Sequence, residues 1–189
     1  MDENQIIEKL STMISPKRLK HSIGVRDTAE ELAKLYNCDV GKARLAGLLH
    51  DCAKDIEKQQ ILQLCDNFGI VLDEISRVQI QLAHGPLGAK IAQQQFGIED
   101  EEILDSIYYH TVGKANMSCL CKIIYLADYI EPNRDFPGVE KIREAAYKDL
   151  NESILVAIDT TVKYVLERRK LIHPNTIEAR NYILLHERK

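Results

Sequence analysis

The sequence predicts an all-α fold, a single helical bundle built by one chain of 189 residues. Apolar residues recur at helical spacing through nearly every segment, and the breaks carry residues typical of helix starts and stops. No strong strand-like alternation, internal repeat or low-complexity linker interrupts this pattern. The length suits one domain with a sizeable core.

The first strongly signalled helix begins at Ser15 and Pro16, which supply an N-cap and a first-turn proline. Its apolar stripe runs to Tyr36. His21 lies four residues before Val25 and therefore shares the inward face of that helix.

The next helix is predicted over residues 40–53 and ends in LLHDCAKD, where His50 and Asp51 follow an apolar run. A further helix should end at Gly69, because glycine readily adopts the left-handed conformation of a helix C-terminus. Its apolar stripe comprises Ile61, Leu62, Cys65 and Phe68.

Two more helices are expected to bring histidines inward. His84 directly precedes Gly85 and stands at the mouth of a helix predicted over residues 86–97. Acidic residues at 99–102 open the following helix, in which His110 continues an inward stripe.

The remaining helices are marked by their ends. Ser118 starts a helix that Pro132 stops, and the segments 139–170 and Thr176 to the C-terminus also have helical spacing.

Composition excludes several classes of function. No apolar segment approaches the length of a membrane span, and the start MDENQIIEKL is unlike a secretion signal. A net charge of −4 argues against a surface that neutralises a nucleic-acid backbone. The five cysteines are odd in number and scattered, which fits reduced thiols. We therefore expect a cytoplasmic protein with neither a membrane nor a nucleic acid as partner.

Four residues on these helices carry candidate metal chemistry: His21, His50, Asp51 and Asp128. Imidazole and carboxylate ligands suit a first-row metal ion of intermediate hardness, and separate helices can converge such groups inside a bundle. Adjacent residues on a helix differ by about 100° around its axis, so His50 and Asp51 reach one ion only if it lies between their directions.

Further groups could serve the same centre. His84 and His110 could complete a second metal position or donate to a phosphate. Lys54 should lie one helical turn beyond His50, and an ammonium beside a metal stabilises charge on phosphoryl oxygens.

Each residue also has a simpler interpretation. A single inward histidine is more often a satisfied core residue than a ligand. Asp51 and Asp128 could instead pair with cations such as Arg26, Lys54 or Arg134. The metal hypothesis explains four residues at once.

In this order, His21, His50-Asp51 and Asp128 resemble the H…HD…D signature of the HD superfamily of metal-dependent phosphohydrolases, whose fold is an all-α bundle. Within that superfamily the chain is similar to the YqeK family from about Ser15 onward. The segments that carry the resemblance are KHSIGVRDTAEELA, ARLAGLLHDCAKD, HGPLGAKIA, YHTVGKANMS, KIIYLADYIEPNRDFPGVEKIR and IHPNTIEARNY.

The resemblance implies a symmetrical hydrolase that cleaves diadenosine tetraphosphate to two ADP by attack of metal-activated water. It implies iron as cofactor, with manganese, cobalt or zinc as alternatives. It also implies one HD domain over residues 1–189, with a core at about 15–135 and helices at about 139–189 that pack on it and contribute to the nucleotide pocket.

The resemblance assigns roles by motif position. His21, His50, Asp51 and Asp128 would bind the metal, and Asp51 would also contact the attacking water. Lys54 would act in catalysis, while His84 or His110 would protonate the leaving oxygen. The nucleotide contacts would come from His21, Lys54, Asp55, His84, His110, Thr111, Asp128, Arg134, His173, Pro174, Asn175, Thr176, Ile177 and Glu178.

The residues alone leave alternatives open. In IHPNTIEARNY, Thr176 can cap the last helix, and the segment is otherwise an ordinary connector. A broader HD nucleotide phosphohydrolase, a nucleotide-sensing metal-binding module and a structural adaptor are the competing functions. The number of ions and the oligomeric state, including a homodimer, stay open.

Overall fold

The computed structural model describes residues 1–187, and within that range every regular element is helical. A 3-10 helix at Ile80–Ala83 accompanies the α-helices. These are α1 (Glu3–Met13), α2 (Pro16–Leu35), α3 (Val40–Leu49), α4 (Lys58–Asn67), α5 (Glu74–Val78), α6 (His84–Phe96), α7 (Glu101–Tyr109), α8 (Cys119–Ile130), α9 (Val139–Ala146), α10 (Leu150–Glu167) and α11 (Pro174–His186).

Local signals explain where the helices begin and end. The Ser15 side chain accepts a hydrogen bond from the third residue of α2, and Pro16 occupies the first position, as predicted. Ser118 caps α8 in the same way. Gly97 ends α6 with a φ of 69°, which only glycine adopts without strain.

Helix α8 runs through the middle of the core, and α2, α3, α7, α9 and α10 pack around it. Its residues Leu120, Ile123 and Ile124 are fully buried. Burial of apolar side chains is the main force that holds such a bundle together. The same packing brings the C-terminal end of α8, which carries Asp128, beside α2 and α3.

Two glycines allow helices to approach closely beside the candidate site. A Cβ on Gly47 would lie 3.0 Å from the backbone of Arg26, so α3 and α2 pack nearly backbone to backbone. A Cβ on Gly85 would lie 2.5 Å from the carbonyl oxygen of Tyr108, so α6 needs glycine against α7. These close contacts position the histidines of the candidate site, which lie on or directly after the same four helices.

The structure corrects several helix predictions. Helix α3 ends at Leu49 rather than Ala53, because the N–H of Cys52 bonds the carbonyl three residues earlier at 3.1 Å and the chain continues in tighter turns. The segment 139–170 is two helices, separated where Asp149 caps α10. Leu62 is 46% exposed and does not belong to the buried stripe of α4.

Helix α6 also begins earlier than expected, at His84 itself rather than at Pro86. The described range of residues 1–187 contains no helix with the length and hydropathy needed to cross a bilayer.

Candidate metal centre

Four histidines from different elements meet inside the bundle. His21 comes from α2, His50 follows α3, His84 is the first residue of α6, and His110 follows α7. All four are buried, with exposed fractions between 0% and 8%. The predicted inward direction of His21 and His110 is therefore confirmed.

Each histidine uses Nδ1 in a supporting contact and turns Nε2 toward the centre. His50, His84 and His110 each have Nδ1 against the carbonyl three residues earlier, at 2.7, 2.5 and 2.7 Å. His21 Nδ1 lies 3.0 Å from Oε1 of Glu131. With the proton on Nδ1, the lone pair of Nε2 is available to a metal ion.

Asp51 lies between two pairs of histidines. Its Oδ2 atom is 3.6 Å from Nε2 of His50 and 3.8 Å from Nε2 of His21. Its Oδ1 atom is 3.3 Å from Nε2 of His84 and 3.5 Å from Nε2 of His110. One carboxylate therefore faces both pairs.

Asp128 completes the side that carries His21. Its Oδ1 atom lies 2.9 Å from Nε2 of His21 and 3.7 Å from Nε2 of His50. The ligand atoms form three sets, and the atoms within each set all lie within 4.8 Å of one another. The sets are His21 with His50 and Asp51, His50 with His110 and Asp128, and Asp51 with His84 and His110.

The donor set fits a divalent metal ion. Asp51 Oδ1 is buried and, within residues 1–187, has no hydrogen-bond partner, although two imidazole nitrogens face it. Lone pairs directed at one point favour a cation between them, because a buried carboxylate oxygen without a hydrogen-bond partner is costly. Nitrogen and oxygen ligands of this kind suit several first-row metals.

The electrostatics of the cluster keep its carboxylates ionised. Burial opposes ionisation of Asp51, but His50, His110 and His84 hold the pKa of that carboxyl well below its usual range. Burial also opposes ionisation of Asp128, whose pKa is held low by His21, His50 and Arg134. Both carboxylates are therefore negatively charged in the interior, as a cation site requires.

Burial and the neighbouring charges also shift the pKa values of the imidazoles. Burial would lower the pKa of His50, but the carboxylates of Asp51 and Asp128 raise it to about 9. Burial lowers the pKa of His84 to about 4, and the neighbouring Lys54 acts in the same direction.

Three cationic side chains border the centre. Arg18 Nη1 donates to Oδ2 of Asp51 at 2.6 Å. Lys54 Nζ lies 2.9 Å from Nε2 of His84 and 3.9 Å from Oδ1 of Asp51. Arg134 pairs with the carboxylate of Asp128 and donates from Nε to its backbone carbonyl at 2.6 Å.

Sequence reasoning did not identify Arg18 or Glu131 as site residues. Arg18 precedes His21 by three residues on α2 and Glu131 follows Asp128 by three, but charged residues at such spacing are equally typical of a surface. Arg26, which was a candidate structural partner of the ligands, instead pairs with Glu3 at 2.9 Å and with Asp27.

Thr111 and Thr176 connect the centre to the last helix. Thr111 Oγ1 is 3.0 Å from Nε2 of both His84 and His110. Thr176 is not the N-cap of α11, because His173 occupies that position and accepts from the Asn175 N–H at 3.2 Å. The Thr176 hydroxyl instead donates to the carbonyl of Val112 at 2.9 Å and ties α11 to the Thr111 turn.

The other predicted nucleotide-binding residues have varied surroundings. Asp55 accepts from the Ser15 N–H at 2.7 Å, where it anchors the start of α2. Within the first turn of α11, Pro174 and Glu178 are exposed, while Asn175 and Ile177 are half-buried. His173 Nε2 lies 3.1 Å from Oδ2 of Asp73.

An all-α bundle that gathers these histidines and aspartates defines a protein of the HD class. The HD domain family model matches residues 18–133, and the chain belongs to that family. This result confirms the family resemblance and the fold class that the sequence predicted.

Similarity to individual proteins extends over the whole chain. It is 40% identical over 193 residues to the symmetrical bis(5'-nucleosyl)-tetraphosphatase of Halalkalibacterium halodurans, with 100% of both chains covered. It is 35% identical to the Bacillus subtilis protein of the same name, covering 97% of this chain and 98% of that one. A crystal structure of a predicted HD superfamily hydrolase involved in NAD metabolism from Clostridium acetobutylicum matches with a TM-score of 0.96, 45% identity and 99% coverage of each chain.

Proposed function

We propose that this protein is a metal-dependent hydrolase that cleaves diadenosine tetraphosphate symmetrically into two molecules of ADP. The observation that carries the proposal is the position of Asp51 between two histidine pairs, bordered by Arg18, Lys54 and Arg134. The full-length similarity to symmetrical bis(5'-nucleosyl)-tetraphosphatases supports the choice of substrate.

His21, His50, Asp51 and Asp128 would hold the metal ion, and Asp51, His84 and His110 would hold a second one if two are bound. An ion there lowers the pKa of bound water and polarises a phosphoryl oxygen. Iron remains the metal that we expect, with manganese, cobalt and zinc as alternatives that the ligand types also permit.

The chain's own residues would bind and orient the polyphosphate. Arg18, Lys54 and Arg134 supply positive charge around the carboxylates, and a guanidinium can hold two phosphate oxygens at once. These cations would neutralise the charge that develops on the leaving ADP. Where one ion is bound, His84 or His110 would supply the proton that the leaving oxygen takes up, and Thr111 Oγ1 lies 3.0 Å from Nε2 of both.

The helices that follow residue 138 would belong to the same domain and complete the nucleotide pocket. Thr176 connects the first turn of α11 to the Thr111 turn. The residues from His173 to Glu178 would accordingly close over one nucleoside, where backbone N–H groups at a helix start suit a ribose or base edge.

Product analysis tests the proposal. Purified, metal-containing protein should convert diadenosine tetraphosphate to ADP alone, and equal amounts of AMP and ATP would contradict symmetrical cleavage. A panel of nucleoside tri- and tetraphosphates and cyclic nucleotides separates this activity from a broader phosphohydrolase. Binding of the dinucleotide without turnover would instead indicate a nucleotide-sensing module.

A further inference from the structure

A symmetrical dinucleotide substrate presents two nucleosides, one on each side of the phosphate chain. The segment from His173 to Glu178 adjoins the metal centre at the side of His84 and His110, through the Thr176 contact to Val112 and the Thr111 contacts to both imidazoles. The proposed function assigns one nucleoside to this segment. The opposite side of Asp51, where His21 and His50 lie, is therefore the place to look for the other.

The opposite side is bounded by Asp128 and Arg134, which form the inner wall of a cavity of about 450 Å³ between α8 and α10. This volume is within the range of small-ligand pockets, roughly 300–1,000 Å³. The remaining wall consists of Tyr129, Phe136, Thr160, Thr161, Tyr164 and Val165. The cavity therefore adjoins the metal centre directly at Asp128.

The rings that line the cavity are held in place by contacts of their own. Tyr129 and Phe136 meet edge to face with centroids 6.3 Å apart. The hydroxyls of Tyr129 and Thr161 are hydrogen-bonded at 2.5 Å. Tyr164 is 49% exposed, yet the guanidinium carbon of Arg168 lies 3.8 Å from its ring centroid. Aromatic rings at the mouth of a cavity suit a flat ligand that can stack on them.

A nucleobase has these properties. Bases stack on aromatic side chains with little regard to sequence, and nearby hydroxyls can pair with ribose or base edges. An arginine at the inner end supplies a cation for the phosphate that joins such a base to the centre.

We propose that the cavity between α8 and α10 holds the second nucleoside of a dinucleoside polyphosphate, with its base against Phe136 and Tyr164. This assignment rests on the proposed function for its substrate. Arg134 would then lie between the metal centre and the second nucleoside.

The first test compares steady-state kinetics of the metal-loaded protein. Phe136→Ala and Tyr164→Ala should each raise KM for diadenosine tetraphosphate about tenfold through lost stacking, with kcat changed by less than about twofold. Tyr147→Ala is the matched control, because Tyr147 is 51% exposed and lies elsewhere, with its hydroxyl on Glu31. An unchanged KM in both cavity variants would overturn the assignment.

The second test does not depend on turnover. The chain contains no tryptophan, so Phe136→Trp places a single fluorophore in the cavity, and Tyr147→Trp places one outside it. A methylene-bridged, non-hydrolysable analogue of diadenosine tetraphosphate should quench the first variant saturably and leave the second unchanged. Absence of quenching in Phe136→Trp refutes the second nucleoside site. Failure of the wild-type protein to cleave the natural dinucleotide refutes the proposed function separately.

Discussion

Nδ1 of His21 lies 3.0 Å from Oε1 of Glu131, a carboxylate that is only 1% exposed. The other oxygen of Glu131 accepts from the backbone and side-chain N–H groups of Asn133 at 2.7 and 2.8 Å. Burial opposes ionisation of Glu131, but His21 and Asn133 keep its pKa below the usual value. A carboxylate in this position fixes the tautomer and the orientation of the ligand imidazole.

Glu131→Gln should therefore weaken metal binding by about 10–100-fold while leaving the ligand atoms themselves in place. Competition with a chelator of known affinity, followed by elemental analysis, measures the effect. Glu140→Gln is the control, since Glu140 is 74% exposed and pairs only with Arg143 among residues 1–187. Equal metal affinity in wild type and Glu131→Gln would show that the pair has no part in orienting His21.

The sequence predicted much of this centre, for a physical reason. Inward-facing polar residues such as His21 and His110 interrupt an apolar stripe at helical spacing, and that interruption is visible in one dimension. Arg18 and Glu131 are different, because charged residues in a helical pattern are normally assigned to the surface. Only the packing of α2 against α3 and α8 shows that Arg18 meets Asp51 and that Glu131 meets His21.

The end of α3 illustrates a second limit. Cys52 and Ala53 are buried, at 2% and 0% exposure, so the apolar pattern continues past Leu49 although the α-helix does not. The tighter turns there are set by backbone hydrogen bonds, which side-chain periodicity does not report.

Gly85→Ala tests the close approach of α6 and α7. The added Cβ would lie 2.5 Å from the carbonyl oxygen of Tyr108, a backbone atom that cannot move alone. We expect a loss of about 1–3 kcal/mol in the free energy of unfolding, because the helices that carry His84 and His110 must shift apart. Denaturant titration measures it.

Gly41→Ala is the matched control, because its nearest atom is Oδ1 of Asp39 at 3.3 Å, which belongs to the exposed side chain that caps α3 and not to the backbone of another helix. That variant should be neutral or gain up to about 1 kcal/mol from helix propensity. Equal stability of the two variants would contradict the packing described here.

Arg18→Gln removes a guanidinium that donates to Asp51 at 2.6 Å. Charge-assisted hydrogen bonds of this kind are worth roughly 1.5–3 kcal/mol, so kcat/KM for the dinucleotide should fall about 10–100-fold. Lys17→Gln is the control, because Lys17 is an exposed neighbour. Full activity in Arg18→Gln would mean that Arg18 serves only the local structure.

Asp51→Ala and Asp128→Ala should differ in metal content. Asp51 faces both histidine pairs, at 3.3 to 3.8 Å, whereas Asp128 lies closest to His21, at 2.9 Å. With two ions bound, Asp51→Ala should lose both, and Asp128→Ala should retain the one beside His84 and His110. Elemental analysis of gently purified protein, with circular dichroism as the check on folding, distinguishes the variants. Equal loss of metal in both variants would indicate one ion at the centre rather than two.

Metal removal should destabilise the protein measurably. The centre buries two carboxylates whose lone pairs converge with imidazole nitrogens, and a cation that binds only the folded chain stabilises it by mass action. Ion at about 1,000 times its dissociation constant contributes about 4 kcal/mol, which corresponds to roughly 8–16 °C in Tm for a domain of this size. A chelator should therefore lower Tm by that amount in the wild type. The same chelator should leave Tm of Asp51→Ala unchanged, since that variant has no ion to lose, and an equal shift in both proteins would mean that the chelator acts elsewhere.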